Sequence, residues 1–233
     1  MSERGLDELR QVRLEIPFTE STPGSVMISM GRTKVLCTAS LSADVPRWLR
    51  DSGKGWVTAE YAMLPGSSSE RVRRDHVSGG RAKEISRLIG RSLRAVVDLK
   101  AMGEAMAVVD CDVIEADGGT RTAAITGAWI ALHYAMESAV EAGQLVSNPL
   151  IDQVAAISVG IVDGVAQLDL DYARDVAAEV DMNVVMSGRG LLVEVQGTAE
   201  KAPFSREELE QLLDLAASGI AELHDLQRRA VSE

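Results

Sequence analysis

A strand pattern gives way to a helical one in "EADGGTRTAAITGAWIAL", residues 115–132. The residues that lead into this stretch, 104–116, predict a β-strand, and those that follow predict a helix over 122–143 that ends at Gly143. Gly118 and Gly119 lie between the two patterns. The stretch therefore predicts a strand that passes through a tight turn directly into a helix.

Strand patterns flank this unit on both sides. Four regions are predicted to form single strands or hairpins: 24–41, 55–64, 154–170 and 179–197. The third contains Asp163-Gly164, a dipeptide typical of tight hairpin turns.

Two further helices are predicted outside these strands. After Gly80 apolar residues recur at helical spacing, and Ser205 with Glu208 forms a capping box that opens a last helix, predicted to run to about Arg229. Because strands come in hairpins and helices come singly, the order of elements predicts an α+β fold with a mixed or largely antiparallel sheet. No composition break divides the chain, so residues 1–233 are predicted to form a single domain.

The composition is that of an ordinary globular protein. Of the 233 residues, 46% are hydrophobic and 25% are charged. No apolar run approaches the roughly 20 residues that a membrane helix needs, and the N-terminus lacks a signal-peptide core. Cys37 and Cys111 lie in apolar strand patterns. We therefore expect buried thiols in a reducing, cytoplasmic setting, and no membrane partner.

The glycine-rich helix start has two interpretations. Without side chains, Gly118 and Gly119 let an anion approach the backbone, and the free amides of the first helical turn point at it. Thr120 and Thr122 add hydroxyl groups, and Arg121 adds a planar fork that grips phosphate oxygens. The other interpretation is a simple Asp-Gly turn with a threonine cap and Arg121 in solvent.

A second helix start repeats the pattern and belongs to a basic segment. In "SGGRAKEISRLIGRSLRA", residues 78–95, two glycines precede Arg81. The segment from Arg71 to Arg94 contains eight basic and two acidic residues, in a chain with a net charge of −11. A local basic segment on an acidic body is compatible with binding of a polyanion, although a solvated helix face gives the same pattern.

Acidic residues are concentrated in "QLDLDYARDVAAEVDMNVVM", residues 167–186. Asp169 and Asp171 alternate as if along a strand, and Asp175 and Asp181 flank a short segment of undetermined geometry. If the latter two converge, they could hold Mg²⁺ against substrate oxygens, or one could act as a general acid or base. The alternative is a set of surface acids. The chain contains no Walker motif, no Gly-x-Ser-x-Gly and no dinucleotide fingerprint.

Seven blocks of the sequence together resemble the bacterial ribonuclease PH family. They are "TKVLCTASL", "VPRWL", "GWVTAEYAMLP", "GGRAKEISRLIGRSLRAVVDLKAMGE", "DCDVIEADGGTRTAAITGAW", "DMNVVM" and "EVQGTAE", within residues 9–225. The resemblance implies a fold of the ribosomal protein S5 domain 2-like type and a homohexamer built as a trimer of dimers. It also implies phosphorolysis, in which inorganic phosphate removes nucleoside diphosphates from the 3′ ends of tRNA precursors, reversibly.

The resemblance also assigns roles to individual residues. Arg81 and the run Gly119, Thr120 and Arg121 match the family's phosphate-binding positions, and Arg121 is counted among the catalytic residues. Asp175 and Asp181 match the acidic pair that holds Mg²⁺ or Mn²⁺ or acts as acid and base. The positions that guide RNA match Arg71, Arg74 and Arg91.

Two positions depart from the family pattern. Gly66 follows Met-Leu-Pro where an arginine is usual, and Leu6 follows Gly5 where the family has Gly-Arg. They affect expectations about RNA binding rather than chemistry. The alternative function is a non-catalytic RNA-binding subunit of an exosome-like ring. A small-molecule phosphotransferase, a third possibility, would leave the basic segment unexplained.

Overall fold

The computed structural model describes residues 4–73, 79–201 and 203–232 of the chain. Nine strands are seen in this part: β1 Val12–Glu15, β2 Gly24–Met30, β3 Thr33–Ser42, β4 Trp56–Met63, β5 Met106–Glu115, β6 Val154–Val162, β7 Val165–Leu168, β8 Val180–Ser187 and β9 Leu192–Ala199. Four α-helices accompany them: α1 Gly80–Arg94, α2 Thr120–Glu141, α3 Tyr172–Ala177 and α4 Arg206–Ser232.

The strands form two sheets, and the predicted α+β class is confirmed. The larger sheet has the order β1-β2-β3-β5-β4, in which only the β4–β5 pair is parallel. The smaller sheet has the order β7-β6-β8-β9 and is antiparallel throughout. Asp163 and Gly164 both have positive φ angles, of 51° and 73°, as a tight hairpin turn between β6 and β7 requires.

Helix α2 is the centre of the core because it packs against strands of both sheets. Residues 122–132 are buried without interruption. Small residues make this possible: a Cβ atom on Gly127 would come within 2.7 Å of Ile28 Cγ2 and 2.9 Å of Cys37 Sγ. Tight packing of the two sheets on this helix fixes where its N-terminus lies.

The other two long helices, α1 and α4, pack beside α2. Helix α1 packs on β4, and α4 packs on β6 and β7. The capping box at the start of α4 is confirmed, since Ser205 N donates to Glu208 Oε2 at 2.6 Å and Glu208 N donates to Ser205 Oγ at 3.1 Å. Cys37 and Cys111 are buried, free thiols in register on β3 and β5.

The acidic segment differs from its predicted form. Strand β7 ends at Leu168, so Asp169 and Asp171 do not alternate along a strand. Asp169 is fully buried with φ +54°, and Asp171 accepts from Arg174 N as the cap of α3. Asp169 is therefore not a surface acid. It forms an ion pair with the buried side chain of Arg10.

Some predictions fall outside these findings. Arg74, a predicted RNA-binding residue, lies outside the described residues. The single-domain organisation of 1–233 stays a prediction. Across the described ranges, no helix is both long and apolar enough to cross a membrane.

Candidate active site

The turn before α2 takes backbone conformations that suit glycine. Gly118 has φ +74° and Gly119 has φ +65°. A Cβ on Gly118 would lie 2.4 Å from Leu170 O, a contact that the backbone cannot relieve. Gly119 is the N-cap of α2 and offers no side chain, so the first-turn amides remain open to an incoming anion.

The two threonines of this helix start have different surroundings. Thr120 Oγ1 lies 2.8 Å from the Tyr61 hydroxyl, and burial raises the pKa of that tyrosine. Thr122 is buried and donates to Gly119 O at 2.9 Å, so its hydroxyl is not available to an anion as the sequence suggested. Only Thr120 lines the cavity next to the turn.

Arg81 and Arg121 are brought together from separate helices. Arg81 is the second residue of α1 and is exposed, whereas the Arg121 side chain is only 20% exposed. Arg121 Nη1 donates to Gln196 Oε1 at 3.1 Å and lies 3.9 Å from Glu84 Oε1. Arg121 is therefore held in position, whereas the simple-turn interpretation expected it to be free in solvent.

Asp175 and Asp181 converge on the same site. Asp175 lies on α3 and Asp181 is the second residue of β8. Burial raises the pKa of Asp181 to about 6, with a further contribution from the charge of Asp175 and opposition from Arg121 and Arg81. Burial also raises the pKa of Asp175, and Arg81 and Arg121 oppose that rise. All four side chains therefore interact electrostatically.

Two adjoining cavities share these residues. One, of about 870 Å³, extends along β9, and the other, of about 560 Å³, extends along the Gly118–Gly119 turn. Five residues line both: Arg81, Arg121, Asp175, Asp181 and Asn183. Two cations and two carboxylates at a glycine-rich helix start can bind a phosphate group and a divalent cation side by side.

The carboxylates fit a magnesium ion of the substrate-bridging kind. No cluster of three or more His, Cys, Asp or Glu side chains that could hold a metal occurs in the described ranges. Mg²⁺ commonly takes one or two carboxylates and completes its shell with waters and substrate phosphates. Asp175 and Asp181 could therefore hold such an ion only together with substrate oxygens and water.

The predicted RNA-binding residues are less uniform. Arg71 is exposed, and Arg74 is outside the described residues. Arg91 Nε forms an ion pair with Glu194 Oε2 at 2.7 Å. Arg94 does not extend into solvent with the other basic residues of α1. It donates to Val57 O at 2.7 Å, and its guanidinium carbon lies 4.3 Å from the centroid of the Trp56 ring.

Three residues of the site were not predicted from the sequence. Asn183 lies two residues after Asp181 on β8 and therefore on the same face, a signal that strand periodicity offers. Gln196 and Glu84, which contact Arg121, come from β9 and α1. Only the three-dimensional pairing of those elements brings them to the site.

Both departures from the family pattern lie at exposed positions. A Cβ on Gly66 would meet nothing within 4 Å, so a side chain would fit there. Leu6 is 41% exposed, and its carbonyl accepts from Leu168 N. Neither residue is among those that line the two cavities.

Comparisons with known proteins cover almost the whole chain. A family model described as "3′ exoribonuclease family, domain 1" matches residues 8–136, and "domain 2" of the same family matches 152–219. Ribonuclease PH of Brucella ovis and that of Brucella melitensis biotype 1 are each 56% identical to the chain over 236 aligned residues. Each alignment covers 99% of both proteins.

Solved structures show the same fold at low identity. The Archaeoglobus fulgidus exosome with RNA bound to the active site matches 95% of this chain and 90% of its own, with a TM-score of 0.81 and 19% identity. Rice Rrp46 matches 97% and 96%, with a TM-score of 0.75 and 18% identity. By its family models and its full-length relatives, the chain belongs to the ribonuclease PH family of 3′ exoribonucleases.

Proposed function

We propose that the α2 helix start, Arg81 and Arg121 bind the inorganic phosphate that attacks RNA in this enzyme. Membership of the ribonuclease PH family makes the chain a phosphate-dependent 3′ exoribonuclease. The observation that supports the assignment is the set of residues shared by the two cavities, which places two arginines and two carboxylates beside the Gly118–Gly119 turn.

The reaction needs positioning and charge neutralisation rather than a protein nucleophile. A phosphate oxygen attacks the phosphorus of the last 3′,5′ linkage, and the bond from that phosphorus to the 3′ oxygen breaks. The products are a nucleoside diphosphate and an RNA shorter by one nucleotide, and the reverse reaction adds a nucleotide. Arg81, Arg121 and the amides of Gly119 and Thr120 would orient the phosphate and balance its charge.

Asp181 is suited to proton transfer in this step. The attacking hydrogen phosphate loses a proton and the departing 3′ oxygen gains one. A carboxyl group whose pKa is about 6 can accept and return a proton near neutral pH. The alternative role of the pair is metal binding: Asp175 and Asp181 would then hold Mg²⁺ or Mn²⁺, which would keep Asp181 ionised and would stabilise negative charge on the phosphoryl oxygens.

The proposal includes the substrate and the assembly. We infer RNA with an unpaired 3′ end, chiefly a tRNA precursor, as the substrate, with Arg71, Arg74 and Arg91 on its path. Membership of the ribonuclease PH family supports an oligomer, and we propose the homohexamer that the sequence resemblance implies. The two buried free thiols support a cytoplasmic setting.

The alternative of a non-catalytic exosome-like subunit gains no support. The exosome neighbours are 18–19% identical and show the fold alone. The catalytic assignment instead draws support from the convergence of Arg81, Arg121, Asp175 and Asp181 on shared cavities.

The test is incubation with a 3′-tailed RNA and Mg²⁺, with and without inorganic phosphate, and measurement of nucleoside diphosphates. We expect products only with phosphate, and Arg121→Ala to lower kcat/KM for phosphate by about 100-fold or more. Arg189→Ala is the matched control, because Arg189 pairs with Asp152 away from the two cavities. RNA binding without products at any phosphate concentration would support the non-catalytic alternative.

A further inference from the structure

We infer that Arg10, held by Asp169, is a positioning residue that directs the amides of the Gly118–Gly119 turn towards phosphate. The inference rests on the proposed phosphate site. It concerns two buried residues, from the N-terminal segment and from the segment after β7, that line neither of the two shared cavities.

Arg10 contacts the back of the turn. Its Nη1 donates to Asp117 O at 2.6 Å, and its Nη2 lies 3.4 Å from Gly118 O. Nη2 would also lie only 3.0 Å from a Cβ on Gly119. The guanidinium therefore lies where a side chain at Gly119 would project.

Asp169 fixes the guanidinium in that place. Asp169 Oδ2 accepts from Arg10 N at 2.8 Å and from Arg10 Nε at 2.9 Å, and Oδ1 accepts from Nη2 at 2.6 Å. Arg10 is 8% exposed and Asp169 0%. Three charge-assisted bonds in a buried site leave Arg10 a single orientation.

Fixing the carbonyl groups fixes the direction of the amides. In a planar trans peptide the carbonyl and the N–H point in opposite directions. Arg10 holds the carbonyl of Asp117, and Thr33 Oγ1 donates to that of Gly118 at 2.7 Å. The amides of Gly118 and Gly119 therefore point away from Arg10 and Thr33. Gly118 and Gly119 themselves line the cavity along the turn.

Stability alone does not explain the buried Arg10–Asp169 ion pair well. A buried ion pair often contributes no more than apolar residues of the same volume would. Asp169 also takes φ +54°, a left-handed conformation that few residues other than glycine, asparagine and aspartate adopt. Arg4 lies 3.6 Å from the same carboxylate, so two arginines share Asp169 behind the turn.

Arg10→Lys tests the inference because it keeps the charge and removes the fork. We expect KM for phosphate to rise on the order of tenfold, with kcat and KM for RNA changed by less than about threefold. The phosphate concentration that gives half-maximal thermal stabilisation, measured without RNA, should rise in parallel. A purely structural role would lower the active fraction and leave both phosphate constants unchanged.

Asp169→Asn is the second variant, in case Arg10→Lys does not fold. It should also raise KM for phosphate, because Arg10 loses its charged anchor, whereas a lower KM would overturn the inference. Arg189→Lys, at an exposed arginine of the β8–β9 turn that pairs with Asp152, is the control and should behave as wild type. A wild-type protein without a phosphate response overturns the proposed function as well. A normal wild-type response with an unchanged Arg10→Lys variant overturns this inference alone.

Discussion

Burial of the Asp181 carboxyl group controls its ionisation. Burial is the largest cause of the raised pKa, and the charge of Asp175 adds to it. The arginines oppose the rise and do not cancel it. At neutral pH most molecules carry the carboxylate, and a modest fall in pH protonates it.

The first prediction is a pH limb that belongs to Asp181. The carboxylate form of Asp181 is the one that holds a metal, and the pKa of Asp181 is about 6. We therefore expect kcat/KM for phosphate to fall as the pH falls through about 6. Higher Mg²⁺ should shift the limb to lower pH, because the metal competes with the proton. Rates measured from pH 5 to pH 8 at two Mg²⁺ concentrations, with RNA saturating, would show both effects.

Asp181→Asn is the control, since phosphate groups also titrate in this range. Its residual activity should keep the phosphate titration and lack the Mg²⁺-sensitive limb. The fold favours the protonated acid, so the stabilising contribution of Asp181 is largest below its unfolded pKa and is lost as pH rises through about 6. At pH 7 the variant should therefore be more stable, by up to about 1 kcal/mol after allowance for solvent. A limb that persists in the variant would contradict the assignment.

At the scale of elements, the turn between β5 and α2 joins fold and site. The strand–glycine–helix pattern was predictable because local sequence determines it, and the helix started at Thr120 rather than residue 122. Helix α3 was not predicted, since six residues give too little periodicity. The roles of Gln196 and Arg10 depend on pairing between distant segments, which no local pattern reveals.

The second prediction compares three glycines with positive φ. Gly118→Ala should destabilise the fold more than Gly164→Ala, by more than about 1 kcal/mol. Both carry the left-handed backbone penalty, but only the Cβ at residue 118 meets backbone, at 2.4 Å. Gly119→Ala should be intermediate, because Arg10 Nη2 and Thr122 Oγ1 stand in its way.

Urea unfolding gives the comparison directly. At Gly164 a Cβ would meet nothing within 4 Å, so this variant measures the backbone term alone. Equal losses at Gly118 and Gly164 would mean that the turn can move away from Leu170 and is not held as tightly as the contacts indicate.

The third prediction concerns the ion pair that joins α1 to β9. Glu194 neutralises Arg91 and competes with RNA for it, and also accepts from Gln196 Nε2 at 2.9 Å. Glu194→Gln should therefore lower KM for RNA at low salt, by up to about fivefold, the upper range for an exposed ion pair. In an Arg91→Ala background the same change should have no effect. An equal gain in both backgrounds would assign the effect to overall charge rather than to Arg91.

At the scale of the whole molecule, the chain leaves large apolar side chains in water. Among the described residues, Val146 is 100% exposed, Trp48 66%, Val176 65% and Leu191 58%. Leu192 and Val195 are exposed on β9, an edge strand of the smaller sheet. Exposed apolar residues and an open strand edge are typical of surfaces that pair with another subunit.

The fourth prediction is therefore a hexamer in solution. Sedimentation at micromolar protein should give a mass near six times the 24.9 kDa of the chain, and dilution should lower it together with specific activity. The coupling follows because burial of the exposed apolar residues would stabilise each subunit only within the ring. Phosphorolysis at full specific activity by a protein that sediments as a monomer would contradict the ring. Each pair of carboxylates and arginines would then act within one chain, as the shared cavities already allow.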